Sequence, residues 1–164
     1  MKCKKASTSI GDIDSSSDII IIAVPDDMLG GVAHELSQTK HLKFKKLFIA
    51  HTSGVHSSHM LEALQRKGAL TASIHPIQTF PKGRTSVKLR GIYFGIDGTP
   101  AALQRAGQIV QSLDAHAVCI PTELKPLYHI ACVFSSSYLV SILNCISELS
   151  RHLSLKASWT EVFG

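Results

Sequence analysis

Aromatic residues are scarce in this chain, 6% of 164 residues, and charged residues reach only 18%. The aromatics are not interleaved with the basic clusters "KCKK", "KHLKFKK" and "KGRTSVKLR", and none of those clusters reads as a continuous basic helix. A nucleic-acid surface needs a basic track joined to groups that stack on or read bases, so no nucleic-acid partner is expected. The net charge of +5 is better matched to small anionic ligands. Cys3, Cys119, Cys132 and Cys145 are far apart and form no C-x-x-C. Three of them sit in apolar runs, so they read as reduced core cysteines of a cytoplasmic protein. No apolar stretch precedes Asp18, which gives no sign of a secretory signal. The longest apolar segment, "HIACVFSSSYLVSILNCI", is interrupted by serines and a histidine and reads as a buried helix, not a membrane span. Internal repeats are absent. Ser53 follows a threonine and does not sit in G-x-S-x-G, so a hydrolase lacks its nucleophile elbow. His51, His56 and His59 form H-x4-H-x2-H, yet no carboxylate or thiol completes the set, and no metal site is expected.

What is present suits a globular α/β domain, with hydrophobic residues at 45%. Residues 1–17 are polar, serine-rich and aperiodic, a leader or loop. "IIIIAVPDD" then supplies an unbroken apolar strand over residues 19–24, as expected of a parallel strand covered on both faces. Asp26 or Asp27 can cap a helix reaching about Gln38, with Met28, Leu29, Val32 and Leu36 at helical spacing. "KLFIAH" is a second strand. Ser57 caps a helix that Gly68 ends, and "LTASIH" is a third strand. The alternation of strand and helix is the grammar of an open parallel sheet.

"PIQTFPKGRTSVKLR" breaks that grammar, because two prolines and no helical pattern leave no crossover for a parallel partner. "GIYFGID" (91–97) is therefore expected to run antiparallel to its neighbour. Thr99 and Pro100 open a helix to about Leu113, and "AVCIP" (117–121) is the last strand. From Thr122 onward the chain reads as helix, with more apolar surface than one helix can leave unpartnered. A homodimer through this C-terminal helix is the expected assembly.

Three strands end in compact polar turns: "AVPDD", "AHTSG" and "SIHPIQTF". In an open parallel sheet, ligands bind beyond the carboxyl ends of the strands. Pro25 and Asp26, then His51, Thr52, Ser53 and Gly54, then His75 and Pro76 would thus line one edge. Each has a plainer reading: a strand stop before a helix, a turn into a cap, a histidine bonded to backbone. Tyr128-His129, on an apolar helix, reads as a satisfied buried pair before it reads as catalytic.

"IIIIAVPDD", "HTSG", "SIHPIQTF" and "KPLYHIACVFSSSYLV", in that order and spacing, resemble the Rossmann-like proteins that carry a C-terminal helical domain of unknown function. These are related to pyrroline-5-carboxylate reductase, 6-phosphogluconate dehydrogenase and prephenate dehydrogenase. The resemblance covers residues 18 to about 150 and implies an NAD(P)-dependent oxidoreductase that uses NADP or NAD on a small-molecule substrate. It implies that Val24, Pro25 and Asp26 pass close to the dinucleotide, with His51, Thr52, Ser53 and Gly54 near the nicotinamide. "HP" at His75 and Pro76 is similar to the histidine-proline of prephenate dehydrogenases, whose histidine faces the substrate. His75 is the implied proton carrier and Ser53 the residue that orients the substrate or carboxamide. Lys125 falls where related dehydrogenases place a lysine that handles the proton, although His129 stands where they have an asparagine. Ser136-Ser137 likewise replaces the family's Ser-Asn.

The family's opening strand and G-x-G-x-x-G, which hold the pyrophosphate, have no counterpart in this sequence, and Gly30-Gly31 lies inside the expected helix. The expected architecture is thus a partial, mostly parallel Rossmann-like sheet with one antiparallel strand, lacking the first βαβ unit, followed by a long C-terminal helix. Its segments are a leader (1–17), the Rossmann-like part (18–121) and the start of a helical, dimerising domain (122–164). A second expectation belongs to another class: a non-catalytic interaction or dimerisation remnant of that fold, with an exposed strand edge inviting pairing.

Overall fold

A computed structural model describes residues 6–80 and 88–153 of the chain. Cys3, the segment 81–87 within the expected turn, and the final stretch containing "SWTEVFG" lie outside the described residues. The chain divides into two compact units, Met1–Tyr128 and His129–Gly164.

The first unit is built on a five-stranded sheet in the order β1-β2-β3-β4-β5: β1 Ile19–Ile22, β2 Phe48–His51, β3 Leu70–Pro76, β4 Tyr93–Gly98 and β5 His116–Cys119. β1, β2 and β3 pair in parallel, β3 and β4 antiparallel, and β4 and β5 in parallel. The reversal at β4 is the one expected from the prolines and the missing helical pattern of the sequence between β3 and β4. α1 (Asp26–Gln38), the short α2 (Glu62–Arg66) and α3 (Pro100–Ser112) connect the remaining strands.

Alternation along the strands sorts side chains onto two faces. Ile49 joins Leu29, Leu36, Leu61 and Leu64 in one cluster. Phe48 and Ala50, its neighbours in β2, join Ile74, Phe94, Ile96 and Val110 in the other. α3 starts as its sequence indicates, with Pro100 in the first turn and the Thr99 hydroxyl accepting from the Ala102 N–H.

Several expectations are corrected. β1 is not covered on both faces: Ile19 and Ile21, on the face shared with Phe48 and Ala50, are 40% and 47% exposed and join neither core cluster, β1 being an edge strand among the described residues. Beside that edge lies an apolar groove of about 330 Å³ lined by Ile10, Ile13, Ile20, Val24, Val32 and Leu36. The polar segment ahead of β1 folds into a 3-10 turn, Ile10–Asp12, with Ile10 and Ile13 packed on the first core cluster. The N-cap of α1 is Pro25, and Asp26 and Asp27 lie in the first turn, where carboxylates complement the helix dipole. Ser57 precedes a 3-10 turn, Ser58–Leu61, but its side chain makes no cap bond. Cys119 and Cys145 are exposed and Cys132 half-buried, so these free thiols are not core residues.

A 3-10 turn, Thr122–Leu124, leads into α4 (Lys125–Val133). A π-helical turn, Phe134–Tyr138, and α5 (Leu139–His152) follow. Ser136 donates to the Cys132 carbonyl within the wide turn. The sequence reading gave this helix more apolar surface than it could leave unpartnered, and Leu127, Phe134, Ile142 and Leu149 are each more than half exposed. By length and composition alone, Thr122–His152 could cross a membrane, although an apolar helix waiting for a protein partner has the same signature.

Candidate functional site

The register brings a row of polar residues to one face of the sheet. His51 lies opposite Ser73, and Ser73 opposite Asp97. Two residues further along β3, His75 lies opposite Gly95. Period-2 alternation puts Ser73, His75, Gly95 and Asp97 on the same face. Lys125 and Tyr128, from the start of α4, come down over that face.

Lys125 is fully enclosed, at 0% exposure. Its Nζ donates to the Ser73 hydroxyl at 2.8 Å and to the Ser53 carbonyl at 3.5 Å. The Ser73 hydroxyl in turn donates to the Ser53 carbonyl. These bonds tie the β3 interior, the turn after β2 and the start of α4 at one point. A buried ammonium is tolerated only where such acceptors replace its lost water.

Asp97 organises the neighbouring part. Its carboxylate, 2% exposed, accepts from the Ser58 N–H at 2.6 Å and from the Thr122 hydroxyl at 2.5 Å. It therefore holds both the turn before α2 and the turn before α4.

His51 is also at 0% exposure, and its two bonds fix the tautomer. Nε2–H donates to the Ser57 carbonyl at 3.0 Å, and Nδ1 accepts from the Ser53 N–H. Burial is the main reason its pKa falls from 6.5 to about 4. The Ser57 bond and Asp97 oppose the shift, while Lys125 and His56 add to it. His51 is neutral at pH 7, and its two ring bonds brace the loop.

Of the residues singled out in the sequence, Ser53 and Lys125 meet in the cluster. Ser53 is buried, its hydroxyl accepts from the His56 N–H, and it contributes its carbonyl to the cluster. Thr52 is half-buried at the tip of β2, and its N–H reaches the Ile22 carbonyl. Gly54 is buried beside it. His75 is half-buried, with Nδ1 2.7 Å from the Tyr128 hydroxyl. Val24 lines the groove beside β1, and Pro25 and Asp26 are exposed; all three stand outside the hydrogen-bonded cluster. Tyr128, expected to form a local pair with His129, bonds to His75. Among the described residues no group of three or more His, Cys, Asp or Glu side chains is arranged to hold a metal ion.

Sequence reasoning missed Ser73 and Asp97, and read Tyr128 only as half of a buried pair with His129. The signal for the first two was available: Thr71, Ser73 and His75 recur at every second position of an otherwise apolar strand, and Asp97 is the one charged residue of another.

Residues 4–76 match the family described as a Rossmann-like domain, and residues 92–163 match a domain of unknown function, DUF2520. No curated protein matches the sequence. Among solved structures, protein TM1727 from Thermotoga maritima is 25% identical with a TM-score of 0.67, over 88% of this chain and 54% of that one. Prephenate dehydrogenase from A. aeolicus, in complex with hydroxyphenyl propionate and NAD+, is 17% identical with a TM-score of 0.62, over 93% and 54%. A reductive aminase from Aspergillus terreus, in complex with NADPH4, cyclohexanone and allyl amine, is 14% identical with a TM-score of 0.65, over 96% and 53%. The chain thus spans about half the length of the structures it resembles. Its fold is Rossmann-like, and its structural neighbours include NAD(P)-dependent oxidoreductases.

Proposed function

We propose that this chain, a Rossmann-like domain followed by DUF2520, forms the nicotinamide- and substrate-facing part of an NAD(P)-dependent oxidoreductase site. The reaction class is hydride transfer to or from a small carbonyl, imine or hydroxy acid. The observation that carries this reading is the meeting of the turn after β2 and the interior of β3 with Lys125 of α4 through Ser53 and Ser73. His75 stands at the rim, held by Tyr128.

The residues present fit a dinucleotide at one end only. Thr52, half-buried at a strand tip, and the backbone around Val24 and Pro25 offer neutral polar groups suited to a carboxamide. The pyrophosphate finds no such match: the sequence has no G-x-G-x-x-G, and Asp26 and Asp27 make the α1 N-terminus repel an anion. A bound nicotinamide would supply hydride chemistry. The chain's own residues set the rest: His75 exchanges the proton, Ser53 and Ser73 hold Lys125, and the buried ammonium gives the site a positive potential.

Titration with NADH and with NADPH, followed by cofactor fluorescence, tests the proposal. Saturable binding that is lost in Thr52→Asp is expected, and an absence of saturable binding by either form overturns it.

A second reading, a non-catalytic interaction module, is favoured by the exposed Ile19 and Ile21 on the edge of β1. That reading requires self-association through the β1 edge, so light scattering should give a lower mass for the double variant Ile19→Lys, Ile21→Lys, and a mass equal to that of the wild type contradicts it.

A further inference from the structure

Tyr128 has a more defined place than an apolar helix residue needs. Its hydroxyl lies 2.7 Å from His75 Nδ1, with the two rings edge-on, centroids 5.7 Å apart and planes at 87°. Gly95, opposite His75 in the sheet, leaves the space for it: a Cβ there would lie 2.4 Å from the phenol oxygen and 2.7 Å from Cζ. Lys125 Nζ lies 5.7 Å from the centre of the same ring. A buried cation, a phenol and an imidazole thus stand in sequence, ending at the rim of the strand ends.

Resting on the oxidoreductase reading above, we propose that Tyr128 is the terminal proton donor of this site, acting on the substrate through His75. A phenol O–H is a stronger donor than an imidazole N–H, and an imidazole nitrogen is the stronger base. Tyr128 therefore donates to Nδ1, and neutral His75 carries its proton on Nε2. A bound nicotinamide would supply the hydride, and the oxygen or nitrogen of the carbonyl or imine would then hold the electron pair. The Nε2 proton passes to that atom, and the phenol proton moves to Nδ1. One N–H and one O–H bond break, one bond to the substrate and one Nδ1–H bond form, and the charge ends as a phenolate facing Lys125. Oxidation runs the same path backwards. Tyr128 never touches the substrate on this account; it is a relay residue, with Lys125 stabilising its ionised form.

Long-range proton–nitrogen correlation spectra of the 15N-histidine-labelled chain test the relay without needing a substrate. In the wild type, His75 should show a bare, hydrogen-bonded Nδ1 and a protonated Nε2. Tyr128→Phe should remove that hydrogen-bond shift at Nδ1. Gly95→Ala should do the same by displacing the phenol. His51, braced by Ser57 and Ser53, reports in each spectrum that the fold is intact. A protonated Nδ1 in the wild type, or a His75 signal unmoved in both variants, overturns the proposal. Saturable dinucleotide binding with the wrong tautomer removes Tyr128 from the relay alone. The expected tautomer without dinucleotide binding removes the redox reading alone.

Discussion

His51 exposes no surface, yet it sets how the site region responds to pH. Its folded pKa of about 4 lies below the ordinary 6.5, so between those values the unfolded chain binds a proton that the folded one refuses. The stabilisation is present above pH 6.5 and is lost progressively as pH falls toward 4, about 3 kcal/mol in all. Urea unfolding at pH 7 and pH 4.5 should show this loss, and His51→Gln should flatten it; an unchanged slope would remove His51 as its source. Asp97 should be more sensitive to truncation. Asp97→Ala strands the Ser58 N–H and the Thr122 hydroxyl, at a cost of about 2–4 kcal/mol, read as a lowered urea midpoint, whereas Thr122→Ala leaves the Ser58 bond intact and should cost less. At this scale the place of Ser53 at a strand end was legible, whereas Lys125, on a helix, came to notice only through the family resemblance. Tyr128 was not legible, because its partner His75 lies 53 residues away and nothing local announces the pair.

Individual elements fail or hold for identifiable reasons. Gly68 closes α2 with φ +96, and a Cβ would lie 2.8 Å from Lys45 Cγ. Gly68→Ala is thus expected to cost about 1–2 kcal/mol, from left-handed backbone strain with the clash added, measured by thermal or urea unfolding; an unchanged midpoint would show that the turn relaxes at no cost. The antiparallel β4 was legible because "PIQTFPKGRTSVKLR" could not form a crossover helix. Coverage of both faces of β1 was not, because an apolar run reports only that burial is favourable, not that a neighbour exists to provide it. The helix caps show a related limit. A serine or aspartate near a helix start is compatible with capping, but the Ser58 N–H, in the turn that follows Ser57, is met by Asp97 from a distant strand.

For the molecule as a whole, the exposed apolar side chains of α4 and α5 carry the largest unspent hydrophobic term. Leu127, Phe134, Ile142 and Leu149 are more than half exposed in the isolated chain, and burying such side chains yields roughly 25 cal/mol per Å². We expect self-association through this helix, with light scattering giving a mass above that of one chain. Ile142 and Leu149 are seven residues apart and share a face, so the double variant Ile142→Asp, Leu149→Asp should lower that mass. A wild-type monomer at micromolar concentration would contradict the expectation. The sequence made the surplus of apolar surface legible, while the identity of whatever covers it depends on a surface outside the chain.

The central claim is that the ends of β2 and β3, roofed by the start of α4, are the working side of this sheet. Amide resonances followed during titration with reduced NADH and NADPH test it most directly. Saturable shifts concentrated at Thr52, Ser53, Gly54 and His75 are the predicted result. Shifts confined to the β1 groove or to α5, or no shifts at all, would contradict it.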